Sequence, residues 1–190
     1  MLNKYSPSHK WDTVTTKHGY KADEIISALQ KSIRRGKEED AVFFAYEMLA
    51  TSDELSQKFW QRMRVIAIED IGLANPSLTS TISALYQTYC DLKGQADAML
   101  AGMFATILLT RSDKSRYVDE LYNNLRAKVE TEDYTRDIPD YAVDKHTSQG
   151  KTLGRDKLHF WKTASLLERD ISTEEKQHYK EILERLQKKK

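Results

Sequence analysis

An all-α fold, a bundle of about seven or eight helices, follows from three features of this sequence. Apolar residues recur at steps of three and four through most of residues 23–129. No stretch of five or more residues alternates apolar and polar positions with β-branched side chains, as a half-buried strand would. Gly (7) and Pro (3) are scarce among 190 residues, too few for the tight turns of an all-β chain.

Residues 1–20 lack any period and read as an irregular arm, with Trp11 and Tyr20 as docking points. Asp23 to Arg35 is a helix with Ile25, Ile26, Leu29 and Ile33 as its stripe. Asp23 and Glu24 suit its N-terminus, and Arg34, Arg35 and Gly36 its C-terminus. A second helix spans about Glu38 to Ala50, its face made by Val42, Ala45, Tyr46 and Leu49. The tight turn at Gly36 makes the two an antiparallel hairpin. Ser52 or Asp53 caps a third, which carries Phe59, Met63, Ile66, Ala67 and Asp70/Ile71 on one side. Gly72 stands where a left-handed residue would end that helix, and Pro76 forbids helix at Asn75.

A fourth helix runs from Pro76 to about Leu92, with Leu78, Ile82, Leu85, Tyr86 and Tyr89 inward, and Gly94 ends it. The next, Gln95 to Leu109, is apolar almost all round and is expected at the centre. A sixth, through about Val129, turns Val118, Leu121, Tyr122 and Leu125 inward. Residues 131–160 are a polar composite loop with a helical turn or two at Pro139–His146. Phe160 to Lys190 makes two helical pieces, the second opened by Ser172 or Thr173 with a capping-box pattern. The expected division is an arm (1–20), a helical core domain (21–135), and a basic glycine-punctuated loop with C-terminal helices packed on that core (136–190).

Composition narrows the function classes. No run approaches the roughly 18 apolar residues of a membrane span and no signal-peptide core opens the chain, so a cytoplasmic address and no membrane partner are expected. The single Cys90 forms no internal disulfide and reads as a buried thiol. The net charge of +1 conceals a partition: residues 1–37 carry +5, residues 145–190 carry +5, and the acidic middle carries −9. Basic ends around an acidic body can pair with each other, with another subunit, or with nucleic acid.

No catalytic residue set, metal site or cofactor motif assembles. The Gly150-Lys151-Thr152 triplet lacks the earlier glycine, the strand and the helix of a phosphate-binding loop. Glu69 and Asp70 are adjacent on a helix, about 100° apart, and should not converge; they also sit at the wrong end for the helix dipole. Arg62, Arg64, Glu69, Asp70, Gly72 and Pro76 together form a structural motif. Arg34, Arg35, Lys37, Lys151 and Arg155 are the candidates for phosphate or nucleic-acid contact. Asp144, His146 and His159 form a conditional polar site in the loop, suited to proton transfer or, less well because the spacing matches no usual ligand set and no Cys is near, to a metal.

Two stretches carry a family resemblance. Residues 23–49, DEIISALQKSIRRGKEEDAVFFAYEML, and residues 62–76, RMRVIAIEDIGLANP, resemble the C-terminal helical region of the AAA+ ATPases of the replication-associated recombination protein A type (RarA/MgsA, Werner-helicase-interacting protein). A looser match is the loop at 138–156. The resemblance implies a clamp-loader-collar-like helical domain that holds subunits together, with a tetramer favoured, in DNA replication or repair. It also implies a separate AAA+ ATPase as partner and DNA nearby. Walker A and Walker B motifs are missing from this sequence, so no ATPase activity is expected from it alone. The expected function is a non-enzymatic oligomerisation or interaction domain. The alternatives are a nucleic-acid-binding module using the basic ends, and a small enzyme centred on Asp144, His146, Lys151, Arg155 and His159.

Overall fold

The computed structural model describes residues 11–188 and divides the chain into two compact units, 1–130 and 131–190. The first ten residues of the expected arm, and the last two of the C-terminal tail, lie outside the described residues. Among the described residues the regular structure is nine α-helical segments with short π and 3₁₀ turns, and no strand forms beyond a single bridge between Thr15 and Lys21. The fold is all-α.

In the first unit, α1 (Ala22–Arg34), α2 (Glu38–Thr51) and α3 (Asp53–Ile66) pack around one core with α4 (Leu78–Asp91) and α5 (Ala98–Arg111). The stripe of α1 behaves as its spacing demands: Ile25, Leu29 and Ile33 are buried and Ile26 packs against them. Ser52 caps α3 by accepting from the Leu55 N–H, and Phe59, Trp60, Met63 and Ile66 are fully buried along it. Trp60 sits at the centre, in edge contact with Phe59 and tilted against Tyr86 and Tyr89 of α4. The segment before α1 folds over as a hook. Trp11 packs on the core, Ala22 N–H donates to Val14 O, and Tyr20 stands edge-on to Phe43 at 5.8 Å.

Four expectations of burial are corrected. In α2 Glu47 is buried with Ala41, Ala45 and Met48, where the hook brings His18 to it, while Tyr46 is exposed. Burial pushes the Glu47 carboxyl up, and hydrogen bonds from Thr16 and His18 outweigh it, so the group lies below its ordinary value. Cys90 is exposed: the inward row of α4 runs Leu78, Ile82, Leu85, Tyr89, and Cys90 is a further 100° round. Helix α5 is not buried all round. Its small residues, Ala101 and Ala105, face the core, while Leu100 (65 %) and Phe104 (55 %) are exposed. The largest departure is α6 (Tyr117–Thr131), in which no residue is buried. Val118, Leu121, Tyr122 and Leu125, expected inward, are 40–59 % exposed, and Val129 near the helix end is 51 % exposed.

The second unit holds a 3₁₀ turn (Asp140–Ala142), the short helices α7 (Ser148–Thr152) and α8 (Lys157–His159), a π turn (Phe160–Ala164) and the longer α9 (Thr173–Gln187). Ser172 is the cap of α9, and the full capping box with Glu175 is present. Tyr179 of α9 donates to Trp161 O at 2.9 Å and ties the helix to the π turn.

Candidate functional site

The chain leaves α3 through a π turn, Ala67–Ile71, rather than ending the helix cleanly. This wider turn carries Glu69 and Asp70, and two arginines from opposite directions meet them. Arg34, at the end of α1, donates from Nε to Asp70 Oδ1 at 2.5 Å and from Nη2 to Glu69 Oε1 at 3.0 Å. Arg116, just ahead of α6, donates from Nη1 to Glu69 Oε1 at 2.9 Å and to Asp70 Oδ1 at 3.1 Å, and its Nη2 reaches Asp119. The expectation that the adjacent acids diverge is therefore corrected. A π turn places successive side chains differently from an α-helix, and each guanidinium fork spans two acceptors.

Asp70 is fully buried, and its second oxygen accepts from Gln30 Nε2 at 2.9 Å. That fixes the other end of the Gln30 amide toward Arg62, which donates to it. The Arg116 guanidinium is held above its usual value, first by the hydrogen bond to Glu69 and then by Asp70 and the charge of Asp119. Backbone joins the same place. Ser115 N–H donates to Asp70 O at 2.9 Å, and Gly72 turns away at φ 50°, ψ −129°. A Cβ on Gly72 would stand 2.7 Å from Ser115 O, so both dihedral and space call for glycine. Lys114 closes the neighbouring end of α5 by donating to Leu109 O and Thr110 O, both at 3.0 Å. Arg64 lies over the Tyr86 ring at 4.2 Å, and Pro76 sits two residues ahead of α4.

This clamp does mechanical work. It fixes the start of α6 against α1 and α3, and it forms the polar edge of a groove. Val65, Ile68, Val118 and Tyr122 line that groove with Glu69 and Asp119 at its margin, enclosing about 280 Å³. An ionic anchor beneath an uncovered apolar groove suits a docking surface rather than a reaction centre.

The remaining candidates fall in different places. Arg34 is committed to the clamp and Arg155 to its own loop, donating to Asp140 O at 2.8 Å, to Val143 O and to the Asp140 carboxylate. Arg35 caps α1 through Lys31 O at 3.2 Å, Lys37 starts α2, and Lys151 is exposed on α7. Three of the five belong to the first unit and two to the second.

Asp144 and His146 do pair, His146 Nδ1 lying 2.9 Å from Asp144 Oδ2, with Lys145 Nζ 2.8 Å from Nε2 and the ring edge-on to Phe160. His159 has no hydrogen bond to either. Its N–H donates to Asp156, and it borders a separate depression with Arg155 and Lys162. Gly150 is a packing residue: a Cβ there would stand 1.8 Å from Asp144 O. The loop thus locks itself. Among the described residues no group of three or more His, Cys, Asp or Glu is arranged to hold a metal ion, and no helix is long and apolar enough to cross a membrane.

The Asp144–His146 pair makes an acid-titration prediction. The His146 side chain, then its backbone N–H, hold the Asp144 carboxyl below its ordinary value against a smaller effect of burial. A depressed folded pKa gives stability that is fully present above the unfolded value and lost as pH falls through the folded one. Followed through the His146 ring protons by NMR, the loop should stay closed down to below the ordinary aspartate value of about 3.9. Opening centred at that value or above would contradict it.

Sequence reasoning identified the two acids and Arg34 but missed Arg116, Asp119 and Gln30. The one available signal was the unfavourable placement of two acids at a helix C-terminus, which calls for cations from elsewhere.

Comparison with known proteins adds the remaining observation. The family model described as MgsA AAA+ ATPase C terminal matches residues 36–187. The chain is 31% identical over 159 residues to the replication-associated recombination protein A of Bacillus subtilis, a match covering 81% of this chain and 34% of that protein. It is 29% identical over 136 residues to the protein of the same name from Haemophilus influenzae, covering 72% and 29%. An uncharacterized AAA domain-containing protein of Mycobacterium tuberculosis is 33% identical over 95 residues, covering 50% and 21%. The chain spans about a third or less of the length of these relatives.

Proposed function

Because the chain belongs to the MgsA AAA+ ATPase C-terminal family, we propose that it is a non-enzymatic helical interaction domain serving a replication-recombination AAA+ ATPase, and that it self-associates. The observation that carries this reading is α6. Five apolar side chains recur along it at steps of three and four, the pattern of a buried face, and none is buried within the chain. The groove beside it, lined by Val65, Ile68, Val118 and Tyr122, adds to the uncovered apolar area. Contiguous apolar surface of this kind, anchored by a rigid ionic clamp, is the usual mark of a subunit contact.

The relatives' names supply the setting. Two are replication-associated recombination proteins and one is an AAA domain-containing protein. A separate AAA+ core is the partner of choice, DNA is its substrate, and a tetramer is the favoured assembly. The small-enzyme reading loses its support, since Arg155 is turned into backbone carbonyls and His159 stands apart from Asp144 and His146.

The double substitution Leu121→Glu with Leu125→Glu tests the reading. Two charges on the α6 stripe touch no core residue, so helicity and thermal midpoint should stay near those of the parent chain. Light scattering after size exclusion should show the mass falling to that of one chain, 22.0 kDa. An unchanged multimeric mass in the folded variant would remove α6 from the interface.

A further inference from the structure

The second unit contains an uncovered trough of its own. Two adjoining depressions of about 330 and 360 Å³ share Trp161 and Ile182. Leu166, Leu167, Ile171 and Tyr179 line the first, with Leu166 and Leu167 more than half exposed. Leu186 lines the second, and its charged lining is cationic, Lys157 and Arg185, the latter also pairing with Glu181 at 3.3 Å. The acid bordering the first, Glu175, is held by the Ser172 cap and by Arg169 at 3.3 Å. An apolar floor with cations at one end fits an amphipathic helix whose end is acidic.

The chain itself supplies that helix. Its uncovered stripe, Val118 to Val129, runs past Glu130, which pairs with Arg126 at 3.4 Å, into Glu132 and Asp133, all exposed. We infer that α6 of one copy lies in the Trp161–Ile182 trough of the next, its acidic end against Lys157 and Arg185. This rests on the self-association proposed above and names the surface that receives α6.

Two consequences follow from the chemistry. The donor surface and the acceptor surface are different, so each copy gives one helix and receives one. Reciprocal exchange between two copies closes a two-fold dimer, and head-to-tail repetition closes a ring or extends into a filament. The pairing also accounts for the charge partition of the sequence, whose acidic middle and basic C-terminal part each carry one side of it.

Charge reversal on each side tests it. Lys157→Glu with Arg185→Glu makes one variant, and Glu132→Lys with Asp133→Lys makes another; all four positions are at the surface. Each variant alone should self-associate about tenfold more weakly than the parent chain in sedimentation velocity. Mixed one to one, the two should recover the parent's mass, because each then meets an opposite charge. Variants that associate as the parent does, or a mixture that fails to recover, would overturn this placement of α6 while leaving self-association intact. A parent chain that sediments as a monomer throughout would overturn both.

Discussion

Asp70→Ala is expected to destabilise the first unit by about 3–5 kcal/mol, the range for breaking a buried ion pair from one side. Asp70 is fully buried and accepts from Arg34, Arg116 and Gln30. Its removal leaves two partly enclosed guanidiniums to share Glu69 and strands the Gln30 amide, which in turn releases Arg62. Asp70→Asn is the informative comparison, because it keeps the shape and loses only the charge and one acceptor, and its cost should be smaller. Urea unfolding followed by the fluorescence of buried Trp60 measures both. A loss under about 1 kcal/mol for the alanine variant would mean the clamp is incidental.

The second large effect is Gly150→Ala. Alanine is a better helix former than glycine, so propensity alone predicts a gain of about 1 kcal/mol in α7. The structure predicts the opposite sign. The new methyl would stand 1.8 Å from Asp144 O and 2.9 Å from Thr147 Oγ1, both in the turn that Asp144 and His146 build. Backbone cannot give way as a flexible side chain can, so the turn must open, at a cost of about 3 kcal/mol. The damage should stay in the second unit: protease should cut within residues 138–160 while the Trp60 core unfolds as in the parent. Stabilisation, or no change in cleavage, would refute this use of the glycine.

These two positions also mark what could be read from the sequence. The periodicity that placed Phe59, Met63 and Ile66 on one face described the core correctly, since a buried helix face must repeat every three to four residues. The same rule misplaced Val118, Leu121, Tyr122 and Leu125. Periodicity reports that a face is apolar and not whether its cover lies in the same chain. Helix α5 was misjudged for a related reason, being apolar on every side.

The clamp was half legible. Glu69 and Asp70 were conspicuous as acids at the wrong end of a helix, and Gly72 as its stop. Arg116 lies 46 residues beyond Asp70 and matches no spacing rule, and the π turn that lets the acids share it has no local signature. In the loop, Arg155 and Gly150 read from sequence as a cation beside bare backbone, open to phosphate. Folding spends both on the loop's own carbonyls, a contest that composition alone does not decide.

The central claim is that the uncovered face of α6 is covered by another copy of the chain. Sedimentation equilibrium over a range from about 1 to a few hundred micromolar tests it most directly, since a dissociation constant in that range corresponds to about −8 to −5 kcal/mol. The expected result is a weight-average mass that rises with concentration from 22.0 kDa toward a plateau at a whole multiple, fourfold being favoured. A mass fixed at 22.0 kDa across the whole range would contradict it.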